Sequence, residues 1–131
     1  MEHFIDGRAM NLSDYYEKKP VVLEFWATWC PLCKRLEPAM DAARRKYAGK
    51  ASFVSVGVSS NQSAARQKAY ADKQKLGGEF VFDRTDAATK AFSVPHTSYV
   101  VVIGKDGKVV YTGVGDEQNI DAAVAMAFAK K

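Results

Sequence analysis

A chain of 131 residues with 47% hydrophobic content can bury one core, so a single domain over 1–131 is expected. Nineteen Lys and Arg against fifteen Asp and Glu leave +4, a mild surplus without the clustering of a nucleic-acid-binding face. No apolar run approaches the ~18 residues of a membrane span, MEHFIDGRAM contains no signal-peptide core, and two cysteines are too few for a disulfide-framework mini-protein.

In chain order, hydrophobic period gives strands alternating with helices and no repeat. After Gly7 and a turn of helix predicted near Ser13 to Glu17, VVLEFWA (Val21 to Ala27) is an apolar run of buried-strand length. Such runs suit strands covered on both faces. Leu32, Leu36, Met40, Ala43 and Tyr47 then mark one face of a helix ending near Gly49, with Pro38 inside it as a kink. The basic run Arg44-Arg45-Lys46 reads as a solvated face of that helix.

SFVSVGV alternates Val54, Val56 and Val58 against Phe53, Ser55 and Gly57, a strand with two different faces. A polar helix from about Asn61 to Leu76 precedes Gly77-Gly78. EFVFD is a short strand, and Ala87 to Phe92 forms one or two helical turns. SYVVVIG, the turn KDGK and VVYTG make a hairpin. Ile120 to Ala129 closes the chain as a helix with Ile120, Val124, Ala127 and Phe128 on one face. This order indicates an α/β layer fold with a mixed sheet.

Both cysteines lie in FWATWCPLCKRLEP, two residues apart. Cys30 directly follows a strand and opens a helix, where unpaired N–H groups and a partial positive charge favour a thiolate. Free cysteine titrates near ~8.5, whereas thiols in such settings fall to about 3.5–7.5. Pro31 suits the first helical position, where its missing N–H loses nothing. Cys33 falls one turn later and deeper. The pair thus offers one exposed nucleophile and one resolving thiol, as thiol–disulfide exchange requires.

Two other readings of the pair stand beside this one. As a staple it closes too short a loop to restrict the unfolded chain much. As half of a metal site it brings two ligands where structural zinc takes four. With His3 and His96 the only histidines, a Cys30, Cys33, His96 site for soft Cu(I) is chemically possible. Glu24 is a carboxylate inside an apolar strand, just behind the helix that begins at Cys30. It is either a strand-end acid reaching solvent or a buried acid of raised pKa that exchanges a proton with Cys33.

FWATWCPLCK resembles the F-W-A-x-W-C-x-x-C-[KR] signature of the thioredoxin superfamily in its TlpA/ResA/DsbE-like branch, bacterial thiol–disulfide oxidoreductases. Pro38 matches the proline of the active-site helix. DGRAMNLSDYYEKKPVVLEFWA is similar to the branch's lead-in, FVFDRTDAATKAFSV to its inserted strand and short helix, and IGKDGKVVYTGVG to its terminal hairpin. The resemblance implies the thioredoxin fold: a central mixed β-sheet flanked by helices, with the TlpA-type insertion. It also implies that Cys30 attacks the substrate disulfide and Cys33 resolves the mixed disulfide. Glu24 falls where thioredoxins proper carry a buried acid. The family's cis-proline is expected at Pro95 of VPHT, although a gap-free count back from Gly107 puts Ser98 there; a cis bond before a non-proline residue costs about 2.5–4 kcal/mol. Val94, Pro95 and His96 would then border the site, with Trp29, Pro31 and Leu32 completing a substrate surface.

The expected function is exchange of a disulfide with a protein substrate, the chain acting as a reductant in cell redox homeostasis and being recharged by an upstream electron donor. A protein-disulfide oxidase or a Cu(I)-handling carrier is the alternative. No cofactor is expected beyond the redox-active Cys30–Cys33 pair, no nucleic acid as partner, and a monomer. The setting is extracytoplasmic in a bacterium if an upstream export signal has been removed, and cytoplasmic if Met1 is native.

Overall fold

The computed structural model describes residues 2–3, 19–60 and 62–128. Its centre is β2 (Val21–Trp26), every residue of which is buried. It pairs in parallel with β3 (Ser52–Val58) and antiparallel with β5 (Tyr99–Ile103). With β1 (Glu2–His3), β4 (Glu79–Asp83) and β6 (Val109–Gly113), these form a six-stranded mixed sheet in the order β1-β4-β3-β2-β5-β6. The branched residues of β2 and β5 suit a pleat covered on both sides, as the apolar run VVLEFWA predicts, and β3, read as two-faced, is nonetheless buried from Phe53 to Val58.

Alternation along β2 divides the core. Val21, Leu23 and Phe25 join Val54, Val56, Val81, Val101 and Ile103 in one cluster. Val22 faces the other way and packs with Phe53, Val100, Val102 and the helix residues Leu36, Met40 and Ala43 of α1 (Pro31–Lys46). Ile120, Ala123 and Val124 of α4 (Ile120–Ala125) complete that second cluster. Glu24 lies opposite Ser55 and Val100 on the α1 side of the sheet.

Several boundaries are tighter than the sequence suggests. α2 (Ala64–Gln74) starts at Ser63, whose hydroxyl accepts the Arg66 N–H, and ends at Lys75 in the left-handed conformation. The closing helix becomes a 3-10 turn over Met126–Phe128. α3 (Ala87–Ala91) has no cap from its own Asp86; Asp83 of β4, buried, instead accepts the N–H groups of Ala88 and Thr89 and the Thr89 hydroxyl. The KDGK turn closes with Gly104 N–H on Lys108 O and Gly107 at φ +84°. Gly7, the predicted turn at Ser13 to Glu17, Asn61 and Ala129 lie outside the described residues.

Candidate active site

The carboxyl end of β2 and the start of α1 place the two cysteines. Ala27 O accepts the Cys30 N–H, turning the chain, and Cys30 becomes the N-cap of α1 with Pro31 in its first turn. Its sulfur accepts the Cys33 N–H at 3.2 Å, the bond an N-cap oxygen would make. A helix-end amide on the sulfur, with the partial positive charge behind it, is the means by which this position favours a thiolate. Here the two sulfurs are joined as a disulfide.

The expected order of exposure is reversed. Cys30 is 0% exposed and Cys33 6%. The cause is Thr97, whose hydroxyl donates to Cys30 Sγ at 3.0 Å from the segment between α3 and β5. Ser93 and Ser98 flank this segment with φ of +51° and +70°, turning the chain over the helix end.

The same segment corrects the placement of Pro95. Among the described residues no peptide bond is cis, and Pro95 is exposed. Thr97 faces the disulfide, and both Thr97 and Ser98 are buried. Ser98 donates its N–H to Phe25 O at 2.8 Å, accepts the Gly115 N–H on its hydroxyl and the Gln118 amide on its carbonyl. These bonds tie the segment to β2 and to the loop before α4. Val94 is half-buried against the core, while His96 is exposed with Nδ1 2.9 Å from Thr97 O.

That bond turns His96 to its own neighbour. Among the described residues no three His, Cys, Asp or Glu side chains are grouped to hold a metal ion.

Trp29 is 43% exposed beside the disulfide, its indole N–H donating to Ser60 O at 2.8 Å. Pro31 is exposed and Leu32 half-buried on the first turn. Gln62, which sequence reasoning passed over, accepts the Thr28 N–H at 2.8 Å and donates to the Trp26 and Val58 carbonyls. It joins the ends of β2 and β3 and thereby fixes the loop that presents Trp29 and Cys30.

Glu24 is buried, at 4% exposure, which excludes the strand-end reading. Burial pushes its pKa from 4.5 up to about 8, Glu37 pushes in the same direction, and Arg44 opposes. Between Glu24 and Cys33 is a cavity of about 30 Å³, also lined by Trp26, Ala27, Lys34, Glu37, Ser55, Tyr70, Leu76 and Phe80. That is room for a water-sized molecule. Arg44 is a further correction: Arg45 and Lys46 are solvated as expected, but the Arg44 side chain is only 8% exposed and turns toward Glu24.

The site is a strand-end CxxC capping a helix over a buried carboxyl. Residues 5–127 match the Redoxin family. The chain belongs to that family. It is a thioredoxin-like member of the TlpA/ResA/DsbE kind. It is 34% identical to the thioredoxin-like protein YneN of Bacillus subtilis over 100 residues, 74% of this chain and 58% of that protein. It is 30% identical to the thiol–disulfide oxidoreductase ResA of Geobacillus thermodenitrificans over 118 residues, 88% of this chain and 67% of ResA. The chain thus spans about three-fifths to two-thirds of these relatives. The fold is the thioredoxin fold: the crystal structure of the exposed lipoprotein thioredoxin Etrx1 of Streptococcus pneumoniae superposes with a TM-score of 0.79 at 23% identity, covering 98% of this chain and 97% of that one.

Proposed function

We propose that this Redoxin-family chain is a thiol–disulfide oxidoreductase that reduces disulfides in protein substrates. The observation that carries the reading is the Cys30–Cys33 disulfide at a helix N-terminus with the buried Glu24 sharing a cavity with Cys33.

In the dithiol form, the Cys30 thiolate attacks one sulfur of a substrate disulfide, and the other substrate sulfur leaves as a thiolate. A mixed disulfide results. Cys33 then gives its proton to the Glu24 carboxylate through the cavity and attacks Cys30 Sγ. The second substrate sulfur leaves as a thiolate, both released thiolates take protons from solvent, and two electrons have passed to the substrate. The product is the disulfide seen here, with Thr97 closed over Cys30. An upstream dithiol donor reverses these steps, drawing Thr97 aside to reach Cys30, while protonated Glu24 returns its proton to the leaving Cys33. Trp29, Pro31, Leu32, Val94, Pro95 and His96 surround this opening and supply the contact surface for substrate.

The chain acts as a monomer and outside the cytoplasm of a bacterium. Support for the location comes from Etrx1, described as an exposed lipoprotein. Among the described residues no helix is long and apolar enough to cross a membrane.

The test is a redox titration with a disulfide-reductase assay, metal-free and with Cu(I), on the wild type and Cys30→Ser. A reducible two-electron pair with turnover that Cys30→Ser abolishes is the expected result. No reducible pair and no turnover would remove the reading, and stoichiometric Cu(I) binding that requires His96 would replace it with a carrier.

A further inference from the structure

The cation turned inward at Arg44 belongs to a built arrangement. Seven residues, nearly two full turns, separate Glu37 from Arg44, so both sit on one face of α1 across Pro38. Arg44 holds Glu37 by two bonds, Nη1 to Oε2 at 2.7 Å and Nη2 to Oε1 at 3.2 Å. The same Nη2 is 4.0 Å from Glu24 Oε1. Arg44 Nε is buried without a hydrogen-bond partner, so the guanidinium's bonds are directed to its far edge.

The loop after α2 leaves space for this side chain. A Cβ on Gly78, whose φ is +87°, would come 3.2 Å from Phe53 O and 3.3 Å from Arg44 Nε, and one on Gly77 3.7 Å from Arg44 Cδ. The Gly77-Gly78 pair thus admits the arginine beneath the sheet face that carries Glu24. Glu37 is the outer member, its side chain 24% exposed. It lines both the cavity shared by Glu24 and Cys33 and an open groove of about 650 Å³ between α1 and α2.

We propose that Glu37 and Arg44 are positioning residues for thiol–disulfide exchange, an opposed pair of charges that sets the pH at which Glu24 exchanges its proton with Cys33. The inference rests on the proton role proposed for Glu24. The titratable and charged groups around that carboxyl are Cys33, Lys34 and Glu37 from α1 and Tyr70 from α2, which line its cavity, and Arg44 of α1 at 4.0 Å, with Ser55 beside it on β3. Glu37 favours the protonated acid and Arg44 the carboxylate. Their mutual bonds make each limit the other. Removing Glu37 takes away a repelling anion and frees Arg44 to act on Glu24. Removing Arg44 takes away the cation and leaves two carboxylates facing one cavity.

The two substitutions therefore have opposite signs. The experiment follows reduction of the Cys30–Cys33 disulfide by a small thiol against pH, corrected for the donor's thiolate fraction, in wild type, Glu37→Gln, Arg44→Met, Arg44→Lys and Glu24→Gln. Glu37→Gln should move the midpoint down by about one pH unit or more, Arg44→Met should move it up by as much, and Arg44→Lys, which keeps the charge, should restore most of the shift. A Glu37→Gln midpoint unchanged or raised overturns the proposal, as do shifts of the same sign in both variants; if Arg44→Met does not fold, Glu37→Gln decides alone. Glu24→Gln separates the two layers of argument. If it abolishes the inflection while Glu37→Gln leaves the midpoint in place, only the present inference fails; if the inflection survives in Glu24→Gln, the role of Glu24 itself fails.

Discussion

The two sulfurs of one disulfide have different surroundings. Cys30 is capped by a helix-end amide and covered by the Thr97 hydroxyl, both neutral donors that stabilise negative charge on sulfur without titrating in the working range. Cys33, one turn on, borders a small cavity with an acid whose pKa is pushed up to about 8. Two residues, Pro31 and Leu32, thus lie between a sulfur set among neutral donors and one set beside a titratable acid. The division follows from direction: a helix start points its amides at the first cysteine, and the next turn lies over the sheet face that carries Glu24.

The largest effects should come from removing the sulfurs one at a time. Cys30→Ser should abolish exchange, whereas Cys33→Ser should still attack and then stall, accumulating a mixed disulfide visible by mass spectrometry under non-reducing conditions. Equal loss without a trapped species would contradict the assignment of roles.

Glu24→Gln should come next, and it sharpens the contrast through stability. The folded carboxyl keeps its proton up to about pH 8, while in the unfolded chain it releases it near 4.5. The folded state therefore binds more protons between these values, and stability falls as pH rises through that window. Replacing the acid should remove this slope and stabilise the oxidised protein by up to about 5 kcal/mol above pH 8, read by denaturant unfolding across pH. An unchanged slope would mean that Glu24 is solvated.

Thr97→Val should touch only the Cys30 side. Losing a hydroxyl bond to a thiolate should make the Cys30 thiolate form only at higher pH, measured by ultraviolet thiolate absorbance, while leaving the inflection due to Glu24 in place. If the Glu24 inflection moves as well, the two sides are coupled.

The smallest effect is expected at Gln62, which touches neither sulfur. Gln62→Ala should lower stability by about 1–2 kcal/mol through lost bonds to Thr28, Trp26 and Val58. It should loosen the loop carrying Trp29, seen as a changed Trp29 fluorescence.

Much of this was legible in the chain because local rules govern it. VVLEFWA reads as a covered strand because it is apolar on both faces apart from Glu24, and Cys30-Pro31 reads as a helix start because proline fits only its first turn. Glu24 stood out as a charge in an apolar strand, but pattern alone left open whether it reached solvent. Thr97 is not legible in the chain, because nothing local marks a threonine two residues after a proline as the residue that will cover a sulfur 67 positions away. Arg44 was misread because a basic run near a helix end is usually solvated; the companion that turns it inward, Glu37, is two turns back, and the Gly77-Gly78 loop that admits it belongs to another element.

By itself the sequence determined the order of strands and helices, the place of the CxxC at a helix start and the candidacy of Glu24, since period, capping and proline chemistry act over a few residues. Only the tertiary structure decided that Thr97 rather than Pro95 meets Cys30, that both cysteines are buried, and that Arg44 and Glu37 share the acid's surroundings. Those facts depend on which distant segments are brought within a few ångströms, where desolvation and Coulomb interactions become strong enough to change a group's chemistry.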